Sequence, residues 1–460
     1  MAASARRHIL ILGGGFGGLY TAKNLERTLR ADDKVEITLV SRDNFFVMTP
    51  LLFEASSGIL DPRHAVASIR TYLKKTNFLQ AEIERIDLDA RRVLVRVDGS
   101  QDARELAYDQ LVLALGGTTN TRLVPGAAEH VLTFKTMGDA IFVRNHCIQR
   151  FERADVETDP AKKRAALTFI VIGAGFVGVE LAGELSEFLP NVSRAYRNVS
   201  ASEIRLLLIE AGPRVAPEFE EKMAAYIVRK LTQSGVEIRT STPVERIEHD
   251  RVILKGGEAI VAETITGAMG VTPSPLVQAL PVEKSRKGAV ATDAELRVKD
   301  RPGVWAIGDC ASIPSPDGKP YPPLAQHALR EAKVLAHNIA ATLRGEKHLR
   351  PFIYETKGLL ASLGHHRGVG RIGKLRVYGF IGWWLRRSYY LFQMPQLSRR
   401  VRIVIDWTVQ LFFRNDVVQL DLQRERDALR MTETQRPPTD DTRGPAATAA
   451  LQPASSNTAT

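Results

Sequence analysis

The stretch ILGGGFGGLYTAKNL, beginning at Ile11, is repeated in outline by VIGAGFVGVELAGEL, beginning at Val171. In each copy a short apolar run, HILIL (8–12) or TFIVI (168–172), leads into a glycine-patterned turn and then into residues of helical pattern. A buried strand, a GxGxxG turn and a helix open a βαβ unit; EITLV (36–40) and IRLLLIE (204–210) read as the strands that complete the two units. The three glycines have separate jobs. The first permits a tight bend, the second lets the backbone approach a pyrophosphate, and the third allows close packing of helix on strand. Those jobs fall to Gly13, Gly15 and Gly18, then to Gly173, Gly175 and Gly178. The amides at the start of each following helix point partial positive charge at the phosphates. One such turn is a weak signal. Two, each in its strand–turn–helix setting, predict two bound dinucleotides.

The end of the second strand selects the nucleotide. Glu210 closes IRLLLIE, where a carboxylate accepts hydrogen bonds from both ribose hydroxyls of NADH and repels the 2′-phosphate of NADPH. Arg205 and Arg214 nearby keep an NADPH alternative open. After EITLV the matching position is Ser41, so Asp43, two residues on, becomes the candidate ribose ligand of the first unit. Further along, the charged stretch RFERADVETDPAKKRAA (150–166) reads as a domain boundary. GVWAIGDCA (303–311) reads as another buried strand with a loop at its C-terminal end, followed by helix from Pro323 to Leu343.

Sixty-three Lys and Arg against 52 Asp and Glu leave a net charge of +11, which predicts attraction to an anionic surface or substrate. Two cysteines, Cys147 and Cys310, exclude a disulfide framework and a CxxC redox pair, and read as small packed residues. The histidines show no zinc spacing and His365-His366 reads as a loop pair, so no metal site is expected. No apolar run reaches the length of a membrane span or resembles a signal peptide.

Three of the four tryptophans lie in YGFIGWWLRRSYYLFQMPQLSRRVRIVIDWTVQLFF (378–413). Within it Arg402, Asp406, Gln410 and Arg414 recur every four residues as one narrow polar stripe. Val401 to Phe413 would make a helix of about 20 Å, too short for a hydrocarbon core of about 30 Å. An apolar face with Trp and flanking Arg fits a helix lying in the headgroup plane, with Arg386, Arg387, Arg399 and Arg400 meeting anionic lipid. The alternative is a helical hairpin packed in a core or a dimer interface. Nucleic acid is disfavoured, because the basic residues accompany long aliphatic faces.

With GVWAIGDCA added to the two turns, the chain resembles the flavoproteins with two dinucleotide-binding domains. Four further stretches are similar to type II NADH dehydrogenases: TPLLFEASSG (49–58), GAGFVGVELAGEL (173–185), LAQHALREAK (324–333) and KGLLASLGHHRGVG (357–370). The resemblance implies an α/β fold of two Rossmann-like domains, the second inserted in the first. FAD would be held by 1–120 and 295–345, and NADH, the electron donor, by 165–270. A C-terminal amphipathic helical region (346–430) would attach to a membrane surface through 378–420, and a Pro-, Thr-, Ser- and Ala-rich tail (431–460) would be disordered.

The resemblance also places Asp309 at the flavin ribityl chain. It puts Gln326 between the isoalloxazine and a quinone head, against the alternative of a solvent-facing helix residue. Glu180 becomes a candidate to orient the nicotinamide or influence protonation; Glu180 and Glu184 read otherwise as first-turn carboxylates stabilised by the helix N-terminus. The family often has an acid where Ser41 stands and a second glutamine where Arg330 stands. The implied activity is two-electron reduction of a lipid-soluble quinone by NADH, without proton pumping, by a peripheral homodimer on the cytoplasmic face of the inner membrane. The alternatives are a flavin reductase or oxidase with a soluble acceptor, a sulfide:quinone oxidoreductase (disfavoured, because it needs cysteines beside the flavin), and a flavin-bound, NADH-responsive redox sensor.

Overall fold

Ile9 to Leu12 and Leu111 to Leu113 are fully buried, and their unbroken apolar character follows from lying at the centre of a parallel sheet covered on both faces. The computed structural model describes residues 6–97, 100, 102–413 and 415–419. The first sheet runs in the order Val304–Ala306, Gln110–Leu113, Arg7–Leu12, Val35–Ser41, Asn77–Asp87, Arg92–Val97 and Ala103–Ala107. The first five strands are parallel, and the last two form an antiparallel meander. The pairing of Val304–Ala306 with Leu111–Leu113 is the return of the chain to its first sheet. The helices Phe16–Thr28 and Ala325–Leu343 pack on one another over that sheet.

The second sheet is wholly parallel, in the order Leu132–Thr133, Thr264–Gly267, Thr168–Ile172, Arg205–Ile209 and Val236–Arg239. Gly117–Thr119 leads into it and Val271–Pro273 leads back, paired antiparallel. The insertion is therefore closed by a two-stranded strap. This corrects the boundary expected at 150–166: the crossing falls at 117–119, and the charged stretch is ordered helix. Met137–Val156 runs through its first half, and Pro160–Ala166 follows a new cap at Asp159, whose carboxylate accepts the Ala161 amide at 2.8 Å. Its charges sit on helix surfaces, where Arg150 and Arg153 both bind Glu263.

The C-terminal region is not helical throughout. A three-stranded antiparallel sheet, Gly358–Ser362, Gly368–Ile372 and Leu375–Tyr378, precedes the helices Gly379–Gln393 and Leu397–Gln410. The second of these helices is inside out. Of its expected polar stripe, Asp406 faces protein, its Oδ2 lying 2.6 Å from His64 Nδ1 and accepting the Asp61 amide at 3.2 Å, whereas Arg402 is exposed. Leu397, Val401, Val404, Ile405 and Val409 point outward, 44–74% exposed. Arg386 and Arg387, expected at lipid, are buried. Residues up to Val417 form one compact unit. Arg414, residue 420 and the 431–460 tail lie outside the described residues, among which no helix is long and apolar enough to cross a membrane.

Candidate active site

A cavity of about 1290 Å³ runs between the two glycine turns, touching Gly15 and Phe16 on one side and Gly173, Gly175 and Phe176 on the other. It exceeds the roughly 300–1,000 Å³ usual for one drug-sized ligand. Five of the six glycines divide as their jobs require, and the sixth, Gly175, would bring a Cβ to 3.2 Å from Glu218 Oε1. Gly13 (φ +110°) and Gly173 (φ +99°) make the bends, and a Cβ on Gly18 or Gly178 would fall 1.8 Å from the carbonyl oxygen of Gly13 or Gly173. A Cβ on Gly15 would meet nothing within 4 Å; it would project into open cavity. Neither following helix carries a side-chain cap at its N-cap residue; the first amides of Phe16–Thr28 stay free for an anion, whereas the Phe176 amide donates a long bond to Glu218 Oε1 at 3.4 Å. A dinucleotide pyrophosphate fits the cradle at Gly15.

At the inner end of the cavity, Asp309 sits in the one-turn helix Gly308–Cys310, its carboxylate 3.0 Å from Lys135 Nζ. Glu331 supports that turn from the helix Ala325–Leu343 by accepting the Gly308 amide at 2.8 Å, and burial pushes its carboxyl up to about 7. Gln326, at the start of the same helix, lines the cavity, donating to the Gly358 carbonyl at 3.3 Å and accepting from Tyr354 Oη at 3.4 Å. It does not face bulk solvent. Arg330, also on the wall, lies over the Tyr354 ring at 4.4 Å.

At the second turn, Glu210 lines the cavity and accepts the amides of Ala174 (2.6 Å) and Gly212 (2.7 Å). Each carboxylate oxygen keeps a further lone pair for a ribose hydroxyl. Arg205 is paired with Glu237 at 2.9 Å, whereas Arg214 donates only to the Pro217 carbonyl at 2.6 Å. Asp43, the candidate ribose ligand of the first unit, is 44% exposed, lies 3.6 Å from Arg42 and is not among the residues lining the cavity.

Glu180 and Glu184 lie beyond the first turn of the helix Phe176–Ser193, which has no acid in its first turn; the helix-terminus reading fails. Both are buried. Glu180 reaches the cavity, accepts the Ser362 amide at 2.8 Å, and lies 2.6 Å from Arg386 Nε. Burial pushes its carboxyl up against the pull of Arg386 and that amide. Arg386 and Arg387 also flank Glu54, at 3.6 and 3.4 Å, and Trp407 Nε1 donates to Glu54 at 2.6 Å. Arg387 is stacked between Trp383 and Trp407, 4.2 and 4.8 Å from their rings. Glu184 accepts from Ser57 Oγ at 2.6 Å and is pushed by burial up to about 7.

Asp309, Gln326, Glu180 and Glu210 thus share one cavity, with Gly13, Gly18 and Gly178 behind its wall. Sequence reasoning missed Lys135, Glu331, Glu54 and the inward role of Arg386 and Arg387. Glu54 carried a signal: a carboxylate in the otherwise apolar PLLFEASS has to be partnered if it is buried. Neither cysteine touches the cavity, and burial pushes both thiols up to about 12.

The family model of the pyridine nucleotide-disulphide oxidoreductases matches residues 7–332. A type II NADH:quinone oxidoreductase of Mycobacterium tuberculosis is 30% identical over 429 residues, covering 90% of this chain and 89% of its own. A probable NADH dehydrogenase of Dictyostelium discoideum is 30% identical over 417 residues, covering 89% and 90%. Among solved structures, NDH2 from Plasmodium falciparum in complex with NADH superposes with a TM-score of 0.81 at 21% identity, covering 90% of this chain and all of that one, a likeness of fold.

Proposed function

Because the chain belongs to the pyridine nucleotide-disulphide oxidoreductase family, and within it to the type II NADH:quinone oxidoreductases, we propose that it oxidises NADH at a bound FAD and passes two electrons to a membrane quinone without pumping protons. One observation carries the reading: both glycine turns open onto a single cavity, so two nucleotides held by them meet inside it. FAD, when bound, supplies the hydride-accepting and electron-passing chemistry. The chain supplies position and charge. Gly15 and the first amides of the helix Phe16–Thr28 hold the flavin pyrophosphate, and Asp309, steadied by Lys135, holds the ribityl chain. Gly175 and Glu210 hold NADH. Gln326 offers its amide to a quinone carbonyl or the flavin's pyrimidine edge. Glu180 orients the nicotinamide and holds a proton near the reacting rings. The first unit's ribose ligand is not assigned to Asp43.

The outward apolar face of the helix Leu397–Gln410 supports attachment to a membrane surface, on the cytoplasmic face from which NADH arrives. Tyr389 and Gln393 of the preceding helix line the same cavity, which gives a lipid-borne acceptor a short approach. The test is an anaerobic titration of the purified full chain. Its flavin absorbance should bleach with NADH and recover with a short-chain quinone; a colourless protein that refuses added FAD overturns the reading.

A further inference from the structure

A second, smaller hollow of about 410 Å³ lies between the hairpin of Phe45–Val47 with Val66–Ser68 and the helix Leu397–Gln410. Arg63, His64, Arg399 and Arg402 line it, with the polar side chains of Asn44 and Ser68. Of the carboxylates next to its lining residues, Asp61 is taken by Arg63 at 2.8 Å, Asp406 by His64 at 2.6 Å, and Asp43 lies 3.6 Å from Arg42. Arg399 donates one bond to the Arg63 carbonyl at 3.0 Å and has no carboxylate partner, and Arg402 makes no hydrogen bond or ion pair among the described residues. Two guanidinium forks therefore converge on a hollow with no protein anion to take them.

What adjoins the hollow decides what fills it. Arg402 lies beside Val401 and one turn before Ile405, on the flank of the outward apolar face. A ligand that satisfies both surfaces carries an anion of tetrahedral oxygens, which guanidinium forks grip two at a time. It also carries hydrocarbon within one helical turn of that anion. A free phosphate matches the first surface alone.

We infer that this hollow is a binding site for the phosphate of an anionic glycerophospholipid whose acyl chains lie along Leu397, Val401 and Val404. The inference rests on the membrane-surface reading and adds to it a specific headgroup contact. It is tested with the full chain and vesicles of phosphatidylcholine, alone or mixed with phosphatidylglycerol. The native protein should prefer the mixed vesicles by about thirtyfold, from two arginines at about 1 kcal/mol each. R399Q/R402Q should lose that preference yet still bind neutral vesicles, and R399K/R402K, which keeps charge but not the forks, should recover less than half of it. Circular dichroism checks that each variant is folded.

Full recovery by the lysine pair would reduce the hollow to diffuse surface charge, and an undiminished preference in the glutamine pair would put the headgroup elsewhere. Either result overturns the site and leaves membrane attachment standing. Failure of the native chain to bind any vesicle overturns both. A thermal shift with inorganic phosphate, lost in the glutamine pair while vesicle binding is unchanged, or a self-association lost in that pair, would give the hollow to a free anion or to a second copy and overturn the lipid assignment.

Discussion

Gly15 and Gly18 stand three residues apart in one motif, and the space around them predicts opposite failures. A methyl group on Gly18 lands 1.8 Å from a backbone oxygen, whereas on Gly15 it points into empty cavity where a pyrophosphate would come. Gly18→Ala should therefore be recovered poorly or with a melting point lowered by many degrees. Gly15→Ala should fold normally and lose bound flavin; the ratio of flavin absorbance to protein, read beside the melting curve, separates the two. Glu210 gives a second prediction at this scale. Glu210→Gln weakens charge-assisted bonds to the ribose, so KM for NADH should rise about tenfold with kcat little changed, and discrimination against NADPH should fall. Steady-state kinetics with both nucleotides checks it. The bends at Gly13 and Gly173 and the close packing at Gly18 and Gly178 were legible because each job leaves a residue type at a fixed spacing. Lys135, which steadies Asp309 across a sequence separation of 174 residues, leaves no such trace.

At the scale of elements, the helix Phe176–Ser193 buries two carboxylates, and only one of them is given a guanidinium. Glu184, with Ser57 as its hydrogen-bond partner, is pushed by burial from 4.5 up to about 7. The sign of the pH dependence follows. Between about 4.5 and 7 the unfolded chain ionises this group and the folded chain does not, so the group lowers stability progressively as pH rises through that window. The loss is complete above about 7 and amounts to as much as about 3 kcal/mol. Glu184→Gln should remove that share, so the difference in melting point between variant and native protein should shift in the variant's favour from pH 5 to 7.5. A constant difference would mean that Glu184 is ionised in the folded state. The same packing explains which elements could be read in advance. Central strands such as Thr168–Ile172 showed as apolar runs, since burial on both faces demands it. WWLRRSYY showed only that arginine and aromatic residues alternate, which fits a lipid surface and a buried ion cluster equally. The partner that decides between them, Glu54, lies more than three hundred residues away.

For the molecule as a whole, the C-terminal region both closes the redox cavity and turns an apolar surface outward, and removing it would confound the two roles. Without residues 378–430, Glu54 and Glu180 lose Arg386 and Arg387, and buried carboxylates left without their cations cost about 3–5 kcal/mol. A clean separation comes from the outward face alone. Val401, Val404 and Val409 are half exposed, so Val401→Gln, Val404→Gln and Val409→Gln together disturb little of the fold, within about 0.5 kcal/mol each. If that face lies in lipid, each loses about 1.5 kcal/mol of apolar burial, and binding to vesicles should fall at least about a hundredfold. Turnover with a long-chain quinone dissolved in the bilayer should fall with it, while turnover with a short-chain quinone in water stays within about twofold. Parallel loss of both activities would show that the valines hold the cavity together, and unchanged activity on the long-chain quinone would show that the face meets no membrane. The expected split follows from the geometry: the buried side of the C-terminal helices packs on the cavity, and the opposite side presents the exposed apolar face.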